Sequence, residues 1–271
     1  MSVPRRPPAL LAAPLLALVL LLTGCSSEPA PVKLPVGAPG QGAAGPESDA
    51  APARRASSGP DAGTVPTPSP TPSPAAIPGL GPETLAKIPA EARQAFVVTG
   101  EEADANRSRA ALYSREGRAG GWKPVAGPWD AHNGMKGWTD HHVAGDLRSP
   151  AGVYTLTDAG GRLPDPGALL PYDEHPRFAV DGEGFFGEPL EGSFDYVVAI
   201  NYNRTEGVSP LDRTRPLGLE RGGGIWIHVD HGGPTQGCVS VPEHRMRELL
   251  RALDPAMKPV IVMGDAERLG R

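Results

Sequence analysis

Residues 224–241 read GIWIHVDHGGPTQGCVSV, and the succession of apolar runs and turn residues in this stretch decides the fold expected of the chain. Residues 225–229 are rich in β-branched and aromatic side chains, which predicts a strand. The glycines and the proline that follow predict a loop. His228 stands at the end of the strand and Cys238 after the loop, so we expect the fold to bring an imidazole and a thiol close together.

The residues after this stretch predict a helix and another strand. Pro242 suits the first turn of a helix, and Asp254 with Pro255 closes it. An apolar run at 260–263 predicts the strand. Cys238 is therefore expected near the N-terminal end of a helix, where partial positive charge favours a thiolate. Apolar side chains recur at helical spacing at Met246, Leu249, Leu250 and Leu253.

Most of the globular part has the pattern of a mainly β domain. Short runs of Val, Ile, Tyr and Phe alternate with Gly, Pro and Asp clusters, as in a β-sandwich or barrel with long loops. A short helix is predicted at 83–87. Strands are predicted at 95–99, 110–114, 153–157, 196–201 and 225–229.

The N-terminus has the pattern of an export signal. Arg5 and Arg6 precede an apolar run at 10–22, which is shorter than the ~20 apolar residues that a membrane-spanning helix needs. The run ends in Leu-Thr-Gly-Cys, which resembles a bacterial lipobox. We therefore expect residues 1–25 to be a lipoprotein signal peptide and Cys25 to receive lipid, with ordinary cleavage as the alternative.

A linker is expected between this signal and the domain. Residues 26–81 consist mainly of Pro, Ala, Gly and Ser, include PTPSPTPSP, and have almost no large apolar side chain. Such a segment cannot offset its ordering entropy, and its prolines favour an extended polyproline II spacer. We expect a disordered linker that holds one domain, residues 82–271, away from a membrane.

Charge and cysteine content narrow the function classes. The 271 residues contain 26 Lys and Arg against 31 Asp and Glu, so the net charge of -5 argues against nucleic-acid binding. The chain has 2 cysteines. With Cys25 lipidated, Cys238 would have no partner for a disulfide in an exported protein. This predicts a working thiol or an intermolecular bond, the alternative being a buried thiol that acts as a small hydrophobe.

A nucleophilic cysteine needs a base, donors for an oxyanion and access for its substrate. The stretch around Cys238 can supply all three. Alternation along the strand would direct His228 toward the cysteine loop, and Gly237 leaves room for a substrate carbonyl to approach the backbone. These residue types favour thiol-based acyl transfer.

Four motifs together resemble the L,D-transpeptidase catalytic domain of the YkuD type, over roughly residues 95–264. Beside GIWIHVDHGGPTQGCVSV they are GDLRSPAGVYTL at 145–156, AINYN at 199–203 and RGGGIWIH at 221–228. The resemblance implies a β-sandwich-like catalytic domain. It also implies that Cys238 is the nucleophile and His228 its base.

By the same resemblance, Thr235 lines the site and the N–H groups of Gly237 and Cys238 form the oxyanion hole. Such enzymes take a peptidoglycan tetrapeptide stem, attack the carbonyl of its third, diamino-acid residue and release D-alanine. The side-chain amine of a neighbouring stem then forms the cross-link. No cofactor is implied. Further candidates for substrate contact are His231, Gln236, Ser240 and Arg148.

Several alternatives remain open at this stage. His231 competes with His228 as the base, and both with Cys238 could instead ligate zinc, leaving a fourth position for water. Water as acceptor would make the protein an L,D-carboxypeptidase, and loss of turnover would leave a wall-binding lipoprotein. Residues expected to have no role in chemistry are His141, His142 and Asp230, as exposed polar residues, and Trp226, as a packing residue.

Overall fold

The computed structural model describes residues 76–271. The predicted signal peptide, Cys25 and most of the predicted linker lie outside the described residues. Ile77 is 1 % exposed and Leu80 8 % exposed, and both pack in an apolar cluster with the rest of the domain. The folded part therefore begins before the predicted boundary at residue 82. Within 76–271, no helix has the length and apolarity to span a membrane.

The described residues are mainly β, as predicted. Ten strands form one curled sheet, a half-barrel in the order β6-β12-β1-β2-β3-β11-β10-β9-β7-β8, and two further strands form a separate pair. The strands are β1 (Gln94–Gly100), β2 (Arg107–Ser114), β3 (Lys123–His132), β4 (Trp138–Thr139), β5 (Ser149–Pro150), β6 (Gly152–Thr155), β7 (Ala159–Gly161), β8 (Tyr172–Glu174), β9 (Val197–Ala199), β10 (Trp226–Val229), β11 (Val239–Val241) and β12 (Val260–Asp265). The helices are α1 (Pro82–Lys87), α2 (Glu243–Ala252) and α3 (Ala266–Leu269).

The parallel strands β1 and β12 are buried on both faces, which explains their unbroken apolar sequences. On β1, Phe96 and Val98 belong to the main core, whereas Ala95 and Val97 pack with Ile77 and Leu80 in the second cluster. Successive side chains of a strand point to opposite faces, so one strand serves both clusters.

Helix α2 confirms the predicted helical spacing. The apolar face of α2 packs on the sheet and completes the main core. The burial of this face determines which side chains of the helix point inward. The side chains buried there are Met246, Leu249, Leu250 and, just beyond the helix, Leu253.

The neighbouring parallel strands β10 and β11 position the predicted chemistry. Ile227 pairs with Val239 and His228 with Ser240, so the loop at 230–238 returns Cys238 to the start of β11 beside β10. Strand β3 lies on the far side of β11, where His132 pairs with Ser240. His228 on β10 and Cys238, immediately before β11, therefore lie on neighbouring segments.

Candidate active site

A cavity of about 560 Å³ contains both residues that the sequence singled out for nucleophilic chemistry. Cys238 and His228 lie in its walls, together with Thr235, Gln236 and Gly237 from the loop at 230–238. The remaining walls come from residues 142–145, 180–194 and 222–225. The cavity thus joins chain segments far apart in sequence around one thiol.

The thiol of Cys238 is held by two backbone groups. The N–H of Trp226 donates to Sγ over 3.4 Å, and the thiol donates to the carbonyl oxygen of Gly224 over 3.7 Å. The residue is half-buried, but the enclosure of its sulfur raises the pKa of the thiol to about 11. The N–H of Trp226 opposes this shift without overcoming it. At neutral pH the resting group is a neutral thiol.

This protonated thiol corrects the expected thiolate. Helix α2 begins at Glu243, and the whole of β11 separates it from Cys238. An extended strand rises about 3.3 Å per residue, whereas the favourable field of a helix falls off within its first turn. The helix therefore lies too far away to ionise the sulfur.

We predict that alkylation of Cys238 by iodoacetamide accelerates about tenfold per pH unit from pH 7 to pH 10, because the thiolate reacts and its fraction rises until pH approaches the raised pKa. A cysteine in a short unstructured peptide should level off above its pKa of about 8.5. A protein rate that is flat from pH 6 to pH 9 would show that the resting site holds a thiolate.

The ring of His228 is buried, and one of its two nitrogens is bonded to the backbone. The side chain is 3 % exposed, and its Nδ1 lies 2.9 Å from the carbonyl oxygen of Val229. A carbonyl only accepts, so Nδ1 carries the proton and Nε2 keeps the lone pair. Burial lowers the pKa of His228 to about 4, against the weaker effect of that hydrogen bond. The ring is neutral at pH 7 and available to take a proton.

His231 forms a wall beside His228. The two rings stack with centroids 5.8 Å apart and planes 8° from parallel. Nδ1 of His231 lies 3.2 Å from Oε1 of Glu188, though not aligned as a hydrogen bond. Desolvation works to raise the pKa of Glu188, but backbone N–H groups and His231 hold it below its usual value. His231 therefore faces a carboxylate that links the loop at 230–238 to the segment at 180–194.

Thr235 and Gly237 shape the turn before the nucleophile. The hydroxyl of Thr235 donates to the carbonyl oxygen of Cys238 over 2.7 Å and accepts from the N–H of Gly237 over 3.1 Å. Gly237 has a φ of 152°, a value that side chains rarely adopt. Because the N–H of Gly237 is engaged by Thr235, the N–H of Cys238 is the remaining oxyanion donor of the predicted pair.

We predict that Gly237→Ala lowers the free energy of unfolding by about 1–3 kcal/mol. A Cβ there would lie 3.1 Å from the carbonyl oxygen of Arg148, and the positive φ adds backbone strain. Urea unfolding measures the loss. The control Gly117→Ala, where nothing lies within 4 Å of the added Cβ, should stay within about 0.5 kcal/mol. Equal losses in the two variants would contradict this account of the turn.

Two candidates for substrate contact lie outside the cavity walls. The guanidinium of Arg148 bonds to Asp104 over 2.7 Å and to the carbonyl oxygen of Trp138 over 3.2 Å. Ser240 is fully buried and donates to Asp230 over 2.7 Å. Both side chains have partners in the scaffold and neither lines the cavity, so the substrate contacts predicted for Arg148 and Ser240 find no support in the cavity and stay predictions. Gln236 is exposed on the cavity wall, as its predicted role requires.

The loop carboxylate of Asp230 was expected to be exposed, and this is wrong. Its Oδ1 receives the hydroxyl of Ser240 and lies 2.8 Å from Nδ1 of His132. Desolvation opposes ionisation, but these partners keep the pKa of Asp230 below its usual value. The network anchors the chain between His228 and His231 to β3 and β11. The composition of the loop does not indicate this network, because Asp230, Ser240 and His132 are brought together only by strand pairing.

His142 is the residue that sequence reasoning placed least well. It was expected at the surface with His141, yet its side chain is 4 % exposed and lines the cavity. Its Nδ1 lies 2.9 Å from Oδ1 of Asp146, four residues later in the glycine-aspartate turn. That spacing was the only sequence signal available. His141 is exposed as expected, and Trp226 packs against Phe178 and Phe194 as predicted.

The zinc alternative has no structural support. Within residues 76–271, no group of three or more His, Cys, Asp or Glu side chains is placed to hold a metal ion. Comparison of the chain with protein-family models, with curated proteins and with solved structures found no match.

Proposed function

We propose that this protein is a cysteine-dependent L,D-transpeptidase that cross-links peptidoglycan stem peptides. The observation that carries the proposal is that Cys238 and His228 line one cavity, with the thiol at its wall and the imidazole in the tautomer of a base. The four sequence motifs and the mainly β fold support the same assignment. An exported, lipid-anchored protein, held at the membrane through Cys25, would act where peptidoglycan is found.

Acylation begins from two neutral groups. The thiol has a raised pKa and the imidazole of His228 a lowered one, so a preformed thiolate–imidazolium pair is unfavourable. Proton transfer from Sγ to Nε2 therefore accompanies formation of the carbon–sulfur bond. The tetrahedral oxyanion accepts the N–H of Cys238. Cleavage of the carbon–nitrogen bond releases D-alanine and leaves a thioacyl-enzyme.

Deacylation determines the product. The side-chain amine of a diamino acid on a second stem attacks the thioester, and the sulfur leaves with the bonding electrons. Glu183 in the cavity wall places a negative charge near a cationic amine before it attacks. Water at the same position would give the carboxypeptidase reaction, so the acceptor separates the two activities.

The test is product analysis with the full chain and a disaccharide tetrapeptide. We expect a cross-linked dimer between diamino acids, loss of activity after alkylation of Cys238, and no effect of a chelator. A trimmed tripeptide without dimer would assign the carboxypeptidase instead. Activity that survives alkylation but not chelation would require a metal mechanism, and no reaction at all would favour a wall-binding lipoprotein.

A further inference from the structure

A third imidazole faces the cavity and has no part in the reaction described above. His142 follows β4, in the segment that leads to β5, and its buried ring lines the cavity with Cys238 and His228. The two histidines have different surroundings. His228 lies against the ring of Phe194, whereas His142 lies edge-on to Tyr202 with centroids 5.4 Å apart.

The carboxylate beside His142 is fixed independently of the ring. Oδ2 of Asp146 accepts the N–H of Val143 over 3.0 Å, and Oδ1 accepts the N–H of Arg148 over 2.8 Å. Asp146 therefore keeps its position whether or not the ring carries a charge. Oδ1 of this fixed carboxylate lies 2.9 Å from Nδ1, though not aligned as a hydrogen bond, so its negative charge faces any positive charge that the ring carries during the reaction.

Two glycines lie against the other edge of this ring, and one of them is the residue before Cys238. A Cβ on Gly222 would lie 2.7 Å from Nε2 of His142, and one on Gly237 would lie 3.6 Å from Cε1. Both glycines line the cavity, and Gly237 immediately precedes the nucleophile. The absence of side chains at these positions lets the imidazole sit against the backbone on which Cys238 is carried.

Cleavage of an amide by a thiol needs proton transfer at two atoms. The sulfur must lose a proton, and the departing nitrogen must gain one because an amide anion is a very poor leaving group. Groups in contrasting environments suit these opposite tasks. His228 is desolvated and uncharged, whereas His142 has a carboxylate partner.

We propose that His142 is the acid and base for the reacting nitrogen while His228 serves the sulfur, an assignment that rests on the proposed transpeptidase function. In acylation, the proton of the thiol passes to Nε2 of His228, the carbon–sulfur bond forms, and the carbon–nitrogen bond breaks as Nε2 of the protonated His142 gives its proton to nitrogen. Asp146 acts as a positioning residue.

Deacylation reverses these transfers and restores the resting state. The acceptor nitrogen bonds to the thioester carbon and gives a proton to the neutral His142. The carbon–sulfur bond breaks, its electron pair stays on sulfur, and the sulfur takes the proton held by His228. All protons are returned within the pair of histidines.

A change of leaving group tests this division of labour. The full chain is acylated in single turnovers by the disaccharide tetrapeptide and by the same stem with its scissile amide replaced by a thioester, whose thiolate departs without a proton. We expect His142→Gln to slow acylation by the amide about 100-fold and acylation by the thioester less than about threefold. His228→Gln should slow both.

Controls separate a chemical role from a structural one. His141→Gln changes the exposed neighbour on the same turn and should leave both rates unchanged. Asp146→Asn should lower the ratio of the amide rate to the thioester rate in the same direction. A loss of cavity shape alone would slow both donors equally.

The outcomes distinguish a failure of this inference from a failure of the proposed transpeptidase function. If the wild type is acylated by neither donor, the transpeptidase proposal fails. If it is acylated by both, and His142→Gln affects the donors equally or not at all, only the role of His142 is overturned. Should His142→Gln not fold, Asp146→Asn decides: it must slow acylation by the amide more than acylation by the thioester, and equal losses with the two donors would refute the role of His142.

Discussion

Replacing Cys238 with serine is expected to slow acylation by at least about four orders of magnitude while leaving the fold intact. A hydroxyl is a far weaker acid and nucleophile than a thiol, and His228, with its pKa of about 4, is too weak a base to compensate. The turn is held by the hydroxyl of Thr235 and by the pairing of β10 with β11, so it should persist in the serine variant. The rate is measured as the mass gained on reaction with a carbapenem, a β-lactam acylator that the resemblance to L,D-transpeptidases suggests.

An unchanged thermal midpoint is the control for the serine variant, since it shows that lost acylation is not lost folding. Cys238→Ala, which has no nucleophile, sets the background. A serine variant that acylates within tenfold of the wild type would mean that the reaction occurs at another residue.

The second large effect is expected for the substitution of His228, the proposed base. His228→Gln should slow carbapenem acylation by about 10²–10⁴-fold, the usual contribution of a positioned general base. Glutamine can keep a donor toward Val229 but cannot take the proton from sulfur. His231→Gln should cost less than about tenfold, because its Nδ1 faces Glu188 and it acts as a wall of the cavity.

Each of these two variants serves as a control for the other, because the rings of His228 and His231 are stacked and similarly enclosed. A general loss of packing would affect both. If His231→Gln is slowed as much as His228→Gln, the assignment of the base to the end of β10 is wrong.

Elements with strong periodic patterns were predictable from the sequence. The apolar run of β10, the helical spacing of α2 and the run of β12 each bury a defined face, so pattern and structure agree within a few residues. Strand β3 was missed although it is the longest strand described. Most of its first six residues are exposed and two of its residues are prolines, so it has neither a buried face nor a strand-like composition over much of its length.

The site was predictable where its residues lie close in sequence. Cys238 and His228 flank one loop between paired strands, and the strand ending in histidine signalled their approach. His142 and Glu188 come from segments far from that loop. Only the tertiary fold brings His142 to the cavity wall and Glu188 beside His231. The ionisation state of Cys238 was mispredicted for the same reason. The pKa of its thiol depends on which residues enclose the sulfur, and only the tertiary fold determines those residues.

The central claim is that Cys238 becomes acylated by a stem peptide with loss of its terminal D-amino acid. Intact-protein mass spectrometry after mixing with a disaccharide tetrapeptide tests it most directly. The account predicts an added mass equal to the donor minus D-alanine, mapped by peptide digestion to Cys238 and absent from Cys238→Ser. A product formed without any adduct on Cys238, or an adduct that persists in the serine variant, would contradict it.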